Sequence, residues 1–240
     1  MAGSKTVIVT GASQGIGAAV TRAFLDRGYN VIATSLKFSG TDFVASPSLA
    51  LVEGDISVEA TAEKISQTAI AKFGSIDHVV NNAGIFFGKP FTEYTIEDFR
   101  KFVAVNLEGF FFMTQRAVKQ MLAQGNGGSV TTITAALADN PMAMAPASVA
   151  MITKGGLNTA TRSLANEYAK QHIRFNAVAP GVVNTPLHNG AEEALLKGRN
   201  PMGTISEAKD IAEAVVYLAE AAHVTGEVLY VDDGAHVGRW

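Results

Sequence analysis

The run Thr10-Gly11-Ala12-Ser13-Gln14-Gly15-Ile16-Gly17 has the residue types and spacing to hold a pyrophosphate. It follows an apolar run, Thr6-Val7-Ile8-Val9, which reads as a buried strand, and it opens a helical pattern. In that order the glycines let the backbone turn sharply, and the helix that follows points its positive end at the turn. A side chain at Gly11, Gly15 or Gly17 would hold an anion or the neighbouring strand away. Glycine-rich turns also occur without any ligand; the placement between strand and helix gives this one its weight.

Short β-rich runs alternate with longer helical patterns along the whole chain, as in a parallel sheet covered on both faces. Strands are expected at Thr6 to Val9, Asn30 to Thr34, Ala50 to Glu53, His78 to Val80, Ser129 to Thr134, Arg174 to Val178 and Val228 to Val231. Helices are expected at Ile16 to Asp26, Glu59 to Lys72, Thr95 to Gln124, Val149 to Lys170 and Ser206 to Ala222. The fold class is therefore α/β: a single Rossmann-type doubly wound domain over residues 1–240, with a seven-stranded parallel sheet. Leu36 to Leu49 is short and rich in Ser, Thr, Gly and Pro, so a loop or stunted helix is expected there. Pro186, Gly190, Gly198 and Pro201 punctuate Thr185 to Pro201, which reads as a flap beside the substrate.

Composition narrows the function. Nineteen basic and 22 acidic side chains give a net charge of −3 with no polybasic stretch, which points away from nucleic-acid and membrane partners. The chain has no cysteine, which excludes disulfides, thiolate nucleophiles and zinc-thiolate sites, and no metal is expected. The N-terminus lacks the layout of a secretion signal and no apolar stretch is long enough to cross a bilayer, so a soluble cytoplasmic protein is expected.

The motifs, taken together, resemble the short-chain dehydrogenase/reductase family over essentially the whole chain. They are the glycine loop Thr10 to Gly17, Asn81-Asn82-Ala83-Gly84, Pro180-Gly181 with Thr185, and Val231-Asp232-Asp233-Gly234, in that order. Asn106 within Val105-Asn106-Leu107 and Lys154 within Thr153-Lys154-Gly155-Gly156 match two more family positions. The resemblance implies that Gly11, Ser13, Gln14, Gly15, Ile16 and Gly17 cradle the pyrophosphate of a nicotinamide dinucleotide. Asp55 and Ile56 would border its adenine, and Asn82, Ala83 and Gly84 the adjacent ribose side. Pro180, Gly181, Val183 and Thr185 would hold the nicotinamide end, with Lys154 on its ribose. Asp55 also reads as a helix cap, and Asn81-Asn82 as turn formers, both the weaker readings. At the end of the second strand stand Ser35 and Lys37 and no carboxylate, which favours NADP over NAD; Lys37 also reads as a solvated loop lysine. The family also implies a small-molecule substrate and a homodimer or homotetramer built on the two longest helices, with Phe99, Phe102, Phe110, Phe111 and Phe112 in excess of one sheet's needs. His236 to Trp240 would join a second interface.

The resemblance breaks where the chemistry is expected. The family places a Tyr four residues before the Lys, on the same helix face, and a Ser at the end of the fifth strand. Those positions are Ala150 and Ala135 here, with Thr134 beside the latter. Asn106 and Lys154 remain as catalytic candidates, and a water held between them could carry the missing proton. His188 in the flap is the other candidate donor, against its reading as a solvated loop histidine. Ser148 reads as a helix cap, Tyr94 and Tyr230 as packing residues, and Met142 and Met144 as either a pocket wall or core filling. Three functions stay open: an NADP(H) oxidoreductase with an atypical proton donor, a dinucleotide-binding sensor or scaffold without turnover, and non-redox chemistry such as elimination.

Overall fold

The structure is a computed structural model that describes residues 4–188, 193–198 and 200–238. In chain order its elements are β1 (Thr6–Thr10), α1 (Gly15–Asp26), β2 (Asn30–Ser35), β3 (Leu49–Glu53), α2 (Glu59–Phe73) and β4 (His78–Asn81). There follow α3 (Ile96–Phe102), a π-helical segment (Val103–Glu108), α4 (Gly109–Gln124), β5 (Gly128–Ile133) and α5 (Ser148–Glu167). The remainder is β6 (Ile173–Pro180), β7 (Val183–Asn184), α6 (Glu193–Lys197), β8 (Ser206–Glu207), α7 (Ala208–Glu220) and β9 (Val228–Val231). Seven strands form one parallel sheet in the order β3-β2-β1-β4-β5-β6-β9. The sequence order reverses between β1 and β4, and their carboxyl ends open a crevice there.

Strand alternation sorts the core into two layers. Val7 and Val9 of β1, with Val31 and Ala33 of β2, pack under Val20 and Phe24 of α1 and Ile211 and Val215 of α7. Ile8 and Ile32, on the opposite face, pack under Ile65 and Ala69 of α2 and Met113 and Ala117 of α4. A strand buried on both faces needs apolar residues at nearly every position, which is why β1 reads as an unbroken run.

Several boundaries differ from expectation. The expected helix from Thr95 to Gln124 is three pieces, with the π-helical segment carrying Asn106 between α3 and α4. A single widened turn inside a long helical run has no residue type of its own to announce it. α5 stops at Glu167 and a 3₁₀ turn, Ala169–Gln171, follows it. Ser206 and Glu207 pair in parallel with Val183 and Asn184 rather than starting α7, because Glu207 and Asp210 form a reciprocal capping box that fixes the helix start at Ala208. Ser148 is the first residue of α5 and not its cap; Ala147 holds the cap position, with no side-chain bond. Leu36 to Leu49 carries no helix. Tyr94 packs on Phe87 and Phe102 as expected, whereas the Tyr230 hydroxyl also donates to Asp139 Oδ2 at 2.6 Å. Of the five phenylalanines in excess, Phe102 is fully buried and Phe112 packs on the core, while Phe99 and Phe111 face outward. Trp240 lies outside the described residues.

No helix among the described residues is long and apolar enough to cross a membrane, and none of their His, Asp and Glu cluster as a metal site would require.

His78 sits at the amino end of β4, against the rings of Phe24 and Tyr29, with Nδ1 2.7 Å from Ser129 Oγ and Nε2 unpartnered. Burial, aided by Lys5 and Arg174 and opposed by Asp77, pushes its pKa down to about 4. The unfolded chain takes up this proton below the ordinary value and the folded chain does not, so stability falls as pH drops from 6.5 toward 4. Denaturant titrations across that window should show His78→Gln losing less stability than the parent, by up to about 3 kcal/mol.

Candidate functional site

The turn after β1 is held in place by its neighbour after β4. Asn82 donates its side-chain amide to the carbonyls of Thr10 (2.9 Å) and Gly11 (3.1 Å). Thr10 Oγ1 accepts the backbone N–H groups of Asn82 (3.0 Å) and Ala83 (2.9 Å). Gly11 has φ +65°, and a Cβ on it would come within 2.9 Å of the Ala83 Cα. A Cβ on Gly17 would run into the Gly11 carbonyl oxygen. Gly15, at φ +53°, faces Thr185, so the turn also meets the segment after β6. α1 starts without a capping side chain and without an acidic residue in its first turn, so its leading N–H groups and positive end face the turn.

A cleft of about 1430 Å³ runs over this turn and along the carboxyl ends of β3, β2, β1, β4, β5 and β6. Gly11, Ser13, Gln14, Gly15 and Ile16 line its middle, with Asn82, Ala83 and Gly84 beside them. Ser35, Lys37, Asp55 and Ile56 line the β2–β3 end, and Lys154, Pro180, Gly181, Val183 and Thr185 the β5–β6 end. Gly17 lies behind the turn and Asn106 beneath the floor; neither lines the cleft. Ser35 and Ser13 join their hydroxyls at 2.8 Å. Asp55 accepts both the N–H and the hydroxyl of Ser57, a turn closed ahead of α2 rather than a cap on it. The Glu53 carboxylate, next to Ser35 across the β2–β3 ladder, accepts the Phe38 N–H and does not line the cleft.

At the β5 end, Lys154 Nζ donates to the Ile133 carbonyl at 2.7 Å. Burial lowers its pKa from 10.5 to about 8. Asn106 is buried and its amide is fully engaged: Oδ1 accepts Ile85 N–H at 2.9 Å, and Nδ2 donates to Ile85 O and to Thr153 Oγ1. Lys154 and Asn106 both line a separate cavity of about 10 Å³, the size of one water molecule. Ala135 lines the cleft. Thr134 turns its hydroxyl to the Val178 carbonyl. Ala150 is 1% exposed, among Phe102, Ala147 and Val149. No tyrosine lines the cleft among the described residues. His188 ends a 3₁₀ turn at Pro186–His188, and its side chain lies outside what the structure describes. Phe86, Lys101, Leu137, Asn140, Leu187 and Asn200 also line the cleft and were not singled out from the sequence. All but Lys101, which is in α3, sit on connecting segments, where apolar periodicity is silent.

A family model described as enoyl-(acyl carrier protein) reductase matches residues 11–236. The chain belongs to the short-chain dehydrogenase/reductase family. This short-chain dehydrogenase/reductase is 34% identical over 248 residues to 3beta-hydroxysteroid dehydrogenase 1 of Eggerthella lenta, a match covering 96% of this chain and 93% of the relative. It is 35% identical to the NADP-dependent (R)-specific alcohol dehydrogenase of Lentilactobacillus kefiri, covering 96% of each. Its fold is similar to that of the 3-ketoacyl-(acyl-carrier-protein) reductase from Brucella melitensis complexed with NADH, with a TM-score of 0.90 and 29% identity over 97% of this chain and 98% of the other.

The unfolded chain holds the Lys154 proton up to its ordinary pKa of 10.5, whereas the folded chain releases it near 8. Between those values the unfolded state binds more protons, so this group makes stability rise with pH. Lys154→Met should flatten that rise when melting temperature is followed from pH 7.5 to 10.5. Parallel profiles for variant and parent would contradict the burial of the charge.

Proposed function

We propose that this protein is an NADP(H)-dependent oxidoreductase that interconverts a carbonyl and an alcohol in a small molecule, without a tyrosine as proton donor. The observation that carries the reading is the glycine turn between β1 and α1, whose Gly11, Ser13, Gln14, Gly15 and Ile16 line the cleft. A Cβ at Gly11 or Gly17 would clash with Ala83, Asn82 or the Gly11 carbonyl and push the turn out of place. The nicotinamide dinucleotide supplies the hydride. Gly11, Ser13, Gln14, Gly15 and Ile16 receive its pyrophosphate, with Gly17 keeping the turn tight. Asp55 and Ile56 border the adenine, Asn82, Ala83 and Gly84 the ribose side, and Pro180, Gly181, Val183 and Thr185 the nicotinamide. Ser35 and Lys37 favour a 2′-phosphate, and the nearby Glu53 carboxylate is turned away to Phe38.

Lys154 has two tasks in this reading. Its ammonium holds the nicotinamide ribose, and its proton reaches the substrate oxygen through a water in the small cavity it shares with Asn106. A lysine whose pKa is near 8 is a competent acid at neutral pH. Asn106 acts by positioning: both ends of its amide fix Ile85, and with it the segment that carries Gly84. His188 is the alternative donor. The second reading, a dinucleotide sensor or scaffold without turnover, is favoured by the loss of both hydroxyls at Ala135 and Ala150.

Phe99, Phe111 and Ile152 are exposed on α3, α4 and α5, and nothing packs on Gly155 or Gly156. They support a homodimer or homotetramer joined through these helices. A single domain spanning residues 1–240, placed in the cytoplasm, completes the proposal.

Fluorescence titration should show NADPH binding about tenfold tighter than NADH, the order expected of one charge-assisted phosphate contact. A panel of ketones, aldehydes and quinones should then oxidise the bound NADPH. Tight binding with no oxidation across the panel selects the sensor reading.

A further inference from the structure

Part of the cleft remains after the dinucleotide residues are set aside. It is walled by the segment after β4, the stretch between β5 and α5, and the turn after β7. Phe86, Met144 and Leu187 come from these three segments, line the same cleft, and are 37%, 67% and 60% exposed. Leu137 and Met142 stand beside them. Large apolar side chains left uncovered together on separate loops mark a surface that a ligand covers. Their walls form one unit, because a Cβ on Gly88 would lie 2.5 Å from the Pro146 carbonyl oxygen, so the backbones of two of the segments touch.

Ionisable groups are sparse here. Among the described residues lining this end, Lys101 and Lys154 carry charge and no Asp or Glu does. A sugar or other polyol would need several fixed acceptors beyond the two side-chain amides, Asn140 and Asn200, that line the cleft, and a buried hydroxyl without one costs about 1–3 kcal/mol. Methionines add a wall that adapts to shape, since an unbranched thioether repacks at low cost.

We infer that the substrate is a carbonyl compound with a bulky apolar body, its oxygen toward Lys154 and its body against Phe86, Leu137, Met142, Met144 and Leu187. This deepens the proposed oxidoreductase reading and rests on it. The two alanines belong to the same picture. Ala135 lines the cleft where the family's Ser would stand and Ala147 also lines it, whereas Ala150 is buried and does not, so the wall stays apolar up to the lysine.

The test reads binding, so it holds whether or not the protein turns over. Protein saturated with NADP, with saturation verified by fluorescence, is titrated by calorimetry with cyclohexanol, 2-decalol and a hexose. Each added buried methylene should tighten binding about fourfold, so 2-decalol should bind far tighter than cyclohexanol, and the hexose not at all. Met144→Gln with Leu187→Gln, both on exposed positions, should weaken 2-decalol at least fivefold and leave NADP binding unchanged. Equal affinity for the two alcohols, binding of the hexose, or an unaffected double variant would overturn the inference. Failure to saturate with NADP would instead strike the underlying reading of the cleft.

Discussion

The site depends on one contact, the seam between the turn after β1 and the turn after β4. Asn82 reaches across to two successive carbonyls of the glycine turn, and Thr10 returns the favour with a hydroxyl that accepts two N–H groups. Four hydrogen bonds thus satisfy backbone groups that a crevice at the sheet's switch point would otherwise leave bare. Because the two turns approach this closely, glycine is needed at position 11, where a Cβ would come within 2.9 Å of the Ala83 Cα. The cleft, the aim of α1 and the position of Gly84 all follow from that seam.

A second constraint governs the chemistry. Lys154 is held by the Ile133 carbonyl at the end of β5, two residues before Ala135. An ammonium in that setting is less hydrated and easier to deprotonate, which is the property a proton donor at neutral pH requires. At Ala135 the cleft wall is apolar where the family would offer a hydroxyl. In the proposed reading, the apolar wall at Ala135 and the lysine as proton donor bear on substrate choice and proton transfer together.

The sheet was legible because its physics is local: Val7 and Val9 alternate with Ile8, and both faces must be apolar. The glycine turn was legible because positive φ and close approach leave few alternatives to glycine. Asn82 was read as lining for the ribose side, and the structure shows its amide bound to the opposite turn, a partnership 71 and 72 residues distant in sequence that no local pattern encodes. The π-helical segment escaped notice for a different reason. It lies inside one long helical run with no residue type to mark it, and it carries Asn106, whose amide bonds Ile85. The pairing of β7 with β8 is two residues long, too short for any alternation to register.

The seam is tested most directly by calorimetric titration of NADPH into the parent protein and into Asn82→Ala. The account predicts saturable one-site binding to the parent and at least a tenfold loss in the variant, with both proteins showing cooperative melting. Equal affinity in parent and variant, or no binding to a folded parent, would contradict it.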